Sequence, residues 1–217
     1  MTGYKGVICH DEPDYSIEQR ALIARLEADL RMQLAQKQHR LAHSLSVASC
    51  AEGLALLYGV DPFEARLAGI LHDWEKALSG EKIIARAREL EIDMGVDLEL
   101  VAPLLHGIVA ARELPSRYPE VPPEVWHAVE VHTTAASQMS PLDMVLFVAD
   151  GIEPLRPKTP GIEESRSLVG EATLPDLFWE SFVGGIIYVL KGSRYLWPGT
   201  IDTYIKLAAA RKDTAAR

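Results

Sequence analysis

The sequence predicts an all-α protein, and three observations carry that prediction. Hydrophobic residues make up 48% of the chain and aromatics only 7%; Ala and Leu dominate the apolar set, a balance that favours helix over strand. Apolar residues recur at three- and four-residue spacing between capping signals. No pair of alternating segments reads as strands, and no repeat of fixed period is visible.

Residues 1–16 lack periodicity and hold Pro13 among acids, which predicts a loosely held arm. Leu22, Leu26, Leu30 and Leu34 predict a helix over 17–34. A second helix follows over 38–58, closed by Gly59 as a C-terminal cap. Asp61-Pro62 starts the third, with Asp as the N-cap and Pro in the first turn. It carries Phe63, Leu67, Ile70 and Leu71 into adjacent His72 and Asp73. Residues 81–90 read as a short charged helix, and 98–113 as another, begun or interrupted near Pro103 and carrying His106. Pro122-Pro123 opens a helix through Val125, Val129 and Val131 that ends near His132-Thr133-Thr134. Ser140-Pro141-Leu142-Asp143 joins a cap, a first-turn proline and an acid at the third position, and the apolar run behind it leads to Asp150. Residues 151–160 read as a Pro-rich loop with Arg156 and Lys158, 173–192 as a buried helix, and 200–211 as a final amphipathic one. The expected organisation is a single helical domain over 17–211, with the arm before it and a tail, 212–217, after it.

The formal net charge is −9 and no long basic run occurs, which argues against nucleic acid or an anionic membrane as partner. Cys9 and Cys50 give neither metal-finger spacing nor a disulfide framework, as in a reducing cytoplasm. The first residues hold no apolar leader core, and the longest apolar run, 182–190, is too short to span a bilayer. An acidic protein that handles a phosphorylated substrate needs local positive charge, and bound metal supplies it.

Adjacent residues on a helix point about 100° apart, so His72 and Asp73 can share one small ion only where the helix ends. Of the other histidines, His10 lies in the acidic arm and reads as solvent-exposed, and His39 sits in a polar stretch. His43 precedes Leu45, Val47 and Ala48 and is placed to point inward. His127 and His132 are five apart and turn away from each other; His127, after Trp126, reads as half-buried without a metal role. That leaves His43, His72, Asp73, His106, His132 and Asp150, on five helical segments. Imidazole and carboxylate together suit iron, manganese, zinc or nickel, and one carboxylate can bridge two ions. Glu75 reads as a solvated turn residue.

The order His, His-Asp, His, His, Asp resembles the HD superfamily of metal-dependent phosphohydrolases. Arg40 to Ala48, Gly69 to Lys76, Leu104-Leu105-His106-Gly107, Val131 to Thr134, Met139 to Asp143, Val148 to Pro154 and Pro198 to Ile201 resemble, within it, the YqeK group of symmetrical diadenosine tetraphosphatases. The resemblance implies an HD-type helical domain with a metal site between helices. It implies that His43, His72, Asp73 and Asp150 hold one metal and His106 and His132 a second, with Asp73 bridging; iron is the first expectation. It places Lys76 and Arg156 near the substrate phosphates and Arg40 at a basic position beside the site; we expect a pocket for one adenosine-diphosphate half, with Thr133-Thr134 and the 151–160 loop near its rim. The chain departs from the group at Trp74-Glu75, Ala135, Met144 and Leu155, where smaller residues, Gly, Lys and Gly are common; none is a proposed ligand.

The expected activity is metal-dependent hydrolysis of a dinucleoside polyphosphate, diadenosine tetraphosphate to two ADP. Asp73 and Lys76 form the catalytic core, Lys76 as an electrostatic group. The departing phosphate is weakly basic, its second pKa near that of a phosphoserine, about 6, and needs little protonation. Two rival readings use the same scaffold: a nucleotide phosphomonoesterase or alarmone pyrophosphohydrolase, and a catalytically silent nucleotide-binding module. The expected partner is a small nucleotide or dinucleotide; the sequence leaves the oligomeric state open.

Overall fold

The computed structural model describes residues 3–215; the first two residues of the expected arm and the last two of the expected tail lie outside the described residues. Among the described residues every regular element is helical. In chain order they are α1 (Gly3–Ile8), α2 (Ile17–Gln33), α3 (Gln38–Tyr58), α4 (Pro62–Leu71), a 3-10 turn (Trp74–Ala77) and α5 (Gly80–Glu89). After α6 (Leu98–Val101) and a second 3-10 turn (Ala102–Leu104) come α7 (Leu105–Arg117), α8 (Pro123–Val131), α9 (Pro141–Ile152), α10 (Pro160–Leu168), α11 (Leu174–Lys191) and α12 (Pro198–Ala215).

The start and stop signals act through the hydrogen bonds expected of them. The Asp61 side chain accepts from the backbone N–H of Phe63 and Glu64, two donors that the first turn of α4 would leave unpaired. Ser140 and Asp143 close a reciprocal capping box on α9. Gly59 ends α3 at φ 72°, a left-handed conformation cheap only for glycine.

The long helix α3 is the centre of the molecule, packed chiefly between α4 and α9. It is long and apolar enough to cross a membrane by length and composition, yet 61% of that stretch is buried inside the protein. The α3–α4 crossing is close because Gly69 has no side chain: a Cβ there would meet the Ala48 backbone at 2.4 Å. Around this crossing Leu26 and Leu30 of α2, Leu54, Ile70, Leu71, Leu146 and Val148 are fully buried, each contributing roughly 1.5–3 kcal/mol. A second, smaller cluster gathers Ile83, Ala87, Met94, Val101, Leu105, Ile108 and Val109 around α5 to α7, and Trp197 packs against it.

Five expectations are corrected here. The segment expected to be a loose arm forms α1 and packs on α3, with Val7 and Tyr15 buried. His10, expected in solvent, lies 2.7 Å from Glu52 Oε2, while Tyr15 donates to Glu52 Oε1 at 2.5 Å and Arg66 donates to Oε2 at 3.1 Å. The cause is Glu52, only 2% exposed within α3: a buried carboxylate needs partners, and the arm brings two of them. The loop expected over 151–160 is shorter, because α9 continues to Ile152 and α10 begins at Pro160. Helix α11, expected to be buried, is buried at Leu174, Leu177, Phe178 and Phe182, whereas Ile187, Tyr188 and Leu190 are exposed. The expected tail continues α12 to Ala215.

Candidate metal centre

Local structure explains why the six singled-out residues meet. His72 is the C-cap of α4 and Asp73 precedes the first 3-10 turn, so the chain turns between them and both side chains serve one pocket. His106 opens α7, His132 caps the end of α8, and Asp150 lies in the last turn of α9. His43 sits inside α3, which packs against α4 and α9. A second glycine makes room: a Cβ on Gly107 would meet Val129 O at 2.5 Å and the His132 ring at 2.8 Å.

Each of the four histidines is held by Nδ1. His72 donates to Gly69 O at 2.7 Å, His106 to Pro103 O at 3.0 Å and His132 to Val129 O at 2.7 Å, every acceptor being the carbonyl three residues earlier. His43 Nδ1 instead meets Glu153 Oε1 at 3.0 Å. With Nδ1 so engaged, Nε2 is the free donor atom of each ring.

The four Nε2 atoms converge on two carboxylates. His106 Nε2 lies 3.0 Å from Asp73 Oδ1 and 3.0 Å from His132 Nε2. His43 Nε2 lies 3.0 Å from Asp150 Oδ1 and 3.8 Å from Asp73 Oδ2. His72 Nε2 sits between the halves, 3.8 Å from Asp73 Oδ1 and 3.9 Å from Asp150 Oδ1, fully buried and without a hydrogen bond. Two overlapping triads are compact enough for one ion each: His43, His72 and Asp150, and His72, Asp73 and His132. His72 is common to both triads.

The charges suit such ions. Burial pushes His72 and His106 down, and burial with the neighbouring His106 and His72 lowers His132 to about 3. Burial opposes the charge on Asp73, but His72 and His106 hold its carboxyl well below the usual carboxylate range; His43 and Arg156 do the same for Asp150. Burial also opposes a proton on His43, yet Asp150 and Glu153 outweigh it and lift the ring to about 9. Proton and cation compete for that Nε2. Buried imidazoles, carboxylates held ionised and an unpartnered His72 nitrogen fit a metal site.

Basic residues rim the cluster. Arg40 donates to Asp73 Oδ2 at 3.2 Å; Arg156 donates to Asp150 Oδ1 at 2.5 Å and to its backbone carbonyl at 2.8 Å. Lys76 Nζ donates to Pro103 O at 3.3 Å, the carbonyl that also holds His106, and burial pushes its ammonium down. Thr133 Oγ1 reaches Leu104 O at 3.5 Å, beside His106. His127 stands apart, its side chain 50% exposed and its Nδ1 3.0 Å from Asp143 Oδ1. Glu75, expected to be solvated, is 7% exposed, and burial together with Glu113 lifts its carboxyl to about 7. It lines a different cleft, of about 460 Å³, with Arg86, Arg112, Glu113 and Arg117. The residue missed from sequence is Glu153: it lies in the quoted stretch Val148 to Pro154, but its partner His43 is 110 positions away.

The family model of the HD domain matches residues 40–155 of the chain. A symmetrical bis(5'-nucleosyl)-tetraphosphatase of Halalkalibacterium halodurans is 32% identical over 175 residues, covering 81% of this chain and 92% of that one. One of Staphylococcus aureus bearing the same name is 31% identical, covering 76% and 84%. Among solved structures, a predicted HD superfamily hydrolase of Clostridium acetobutylicum, described as involved in NAD metabolism, superimposes with a TM-score of 0.76 at 30% identity, over 86% of this chain and 97% of that one.

Proposed function

The chain belongs to the HD domain family, and on that premise we propose that it hydrolyses diadenosine tetraphosphate symmetrically, to two ADP, at the cluster of His43, His72, Asp73, His106, His132 and Asp150. The observation that carries the reading is the convergence of four Nδ1-anchored histidines on the carboxylates of Asp73 and Asp150, with the Nε2 atoms of His43 and His72 making no hydrogen bond. We assign His43, His72, Asp73 and Asp150 to one metal, and His106 and His132 with Asp73 to a second. Iron is the first candidate, then manganese, zinc and nickel, since the donors are imidazole and carboxylate without thiolate. Such a pair of ions supplies Lewis acidity, acidifying a water and polarising a phosphoryl oxygen.

The protein's own groups bind and orient the phosphates. Arg40 and Arg156 already face the two carboxylates, so each can shift a guanidinium onto a polyphosphate oxygen without a change of element. Lys76 stabilises negative charge as it develops. No acid is required at the departing ADP, whose phosphate is weakly basic. Thr133 and Arg156 border the nucleotide pocket. Arg40, Lys76 and Arg156 thus give an acidic chain local positive charge at the site, as suits a free small dinucleotide in the cytoplasm.

The reading is tested on metal and turnover together. Protein loaded with iron(II) or manganese(II) is expected to release ADP from diadenosine tetraphosphate, to lose that activity to a chelator and to regain it on reloading. His106→Ala or His132→Ala should lose one of two metal equivalents by elemental analysis, while His127→Ala keeps both. Release of inorganic phosphate from mononucleotides in place of ADP would support the phosphomonoesterase reading. Nucleotide binding without turnover under any metal would support the silent module.

A further inference from the structure

Three of the four converging histidines lie at helix boundaries and are anchored by a backbone carbonyl. His43 cannot use that device. It lies inside α3, where backbone carbonyls are committed to the helix's own ladder. A side chain must supply its anchor. That side chain is Glu153, the C-cap of α9, whose residue is 1% exposed.

Glu153 does more than meet His43. Its Oε2 accepts from Ser46 Oγ at 2.5 Å, one turn along α3, and from the Leu155 backbone N–H at 2.6 Å. Its carbonyl accepts from the Arg156 N–H at 3.0 Å and from Arg166 Nη2 at 2.7 Å. The residue therefore ties α3 to the turn that aims Arg156 at Asp150. We infer that Glu153 is the positioning residue of the centre: its carboxylate fixes the His43 ring with Nε2 toward the cluster, makes His43 the strongest imidazole donor of the four, and sets the turn that presents Arg156. A carboxylate polarises the ring it accepts from more than a peptide carbonyl does, which raises ligand basicity. The inference rests on the metal reading proposed above.

Replacement by glutamine sharpens it. Oε2 serves two donors and Oε1 one, so the amide of Glu153→Gln should turn its oxygen to Ser46 and Leu155 and its NH2 to His43. Nδ1 must then accept, and the proton moves to Nε2, the atom meant for the metal. The loss should fall on the half of the centre that contains His43 and Asp150.

The test titrates manganese(II) into metal-free wild type, Glu153→Gln, His43→Ala and the double variant, with a competing chelator. Wild type should bind two equivalents. Glu153→Gln should bind one of them about 10- to 100-fold more weakly and the other unchanged. In the His43→Ala background Glu153→Gln should add nothing to the loss, because it acts through that ring. Ser46→Ala, which trims one bond of Glu153 and leaves His43 untouched, guards against a misfolded glutamine variant and should weaken the same equivalent by a smaller factor. Unchanged affinity in folded Glu153→Gln and Ser46→Ala would overturn the inference and leave the metal reading standing. So would an equal further loss in the His43→Ala background. Wild type that binds no manganese would overturn the metal reading itself, and the inference with it.

Discussion

Charge placed at the rim of the cluster has a readable cost. Lys76→Ala and Arg156→Ala each remove a cation without removing a donor to metal, so metal content should stay at the wild-type level. One charge-assisted contact is worth about 1.5–3 kcal/mol, so kcat/KM should fall on the order of tenfold to a hundredfold. Steady-state kinetics alongside elemental analysis checks both halves of that statement; unchanged kinetics in both variants would move the phosphate site toward Arg40. A second residue-scale expectation concerns Ala135, which holds φ 55° just past His132-Thr133-Thr134, where its N–H bonds back to Val131 O. Left-handed backbone costs a non-glycine residue roughly 1–2 kcal/mol, and glycine returns part of that as unfolded-state entropy. Ala135→Gly should therefore stabilise the protein by about 0.5–1 kcal/mol in urea unfolding. The departure from glycine was legible in the sequence, and so were the six cluster residues and the basic rim. Glu153 was not, because its meaning depends on His43 and Ser46, which folding alone brings to it.

At the scale of elements, short-range signals were readable and long-range ones were not. Asp61-Pro62, Ser140-Pro141 and Gly59 mark helix ends through bonds within a few residues, and α4, α9 and α3 begin or stop where they indicate. The docking of α1 and His10 depends on Glu52, 42 positions on from His10, so nothing local announces it. That latch has a pH signature. The hydrogen bond with Glu52 raises His10 above its ordinary 6.5 despite burial, while His10, Tyr15 and Arg66 hold Glu52 below its ordinary 4.5 against burial. A raised histidine contributes stability fully present below 6.5 and lost as pH rises through its folded value. A depressed carboxylate contributes stability present above 4.5 and lost as pH falls through its folded value. The stability difference between wild type and His10→Ala should therefore be largest between 4.5 and 6.5 and shrink on either side. Urea unfolding across that range checks it; a difference independent of pH would mean that His10 acts by packing alone.

Across the whole molecule, the cluster lies at the seam of the two hydrophobic clusters. His72 and Asp150 follow Leu71 and Ala149 of the larger, and His106 follows Leu105 of the smaller. Rigid helices on both sides hold the imidazoles, while the turns after α4 and α9 carry Lys76 and Arg156. The six cluster residues thus lie beneath a rim of Arg40, Lys76 and Arg156, in a protein whose net charge is −9. We propose that this pocket seats one adenosine-diphosphate half, so that attack falls beside the central bridging oxygen. Leaving-group chemistry does not choose the bond, because either cut expels a weakly basic phosphate; the placement of the pocket does. The most direct measurement is product analysis of diadenosine tetraphosphate hydrolysis by metal-loaded protein in oxygen-18 water. ADP should be the sole nucleotide product, with one labelled ADP per turnover, whereas AMP and ATP in equal amounts would contradict the symmetrical assignment.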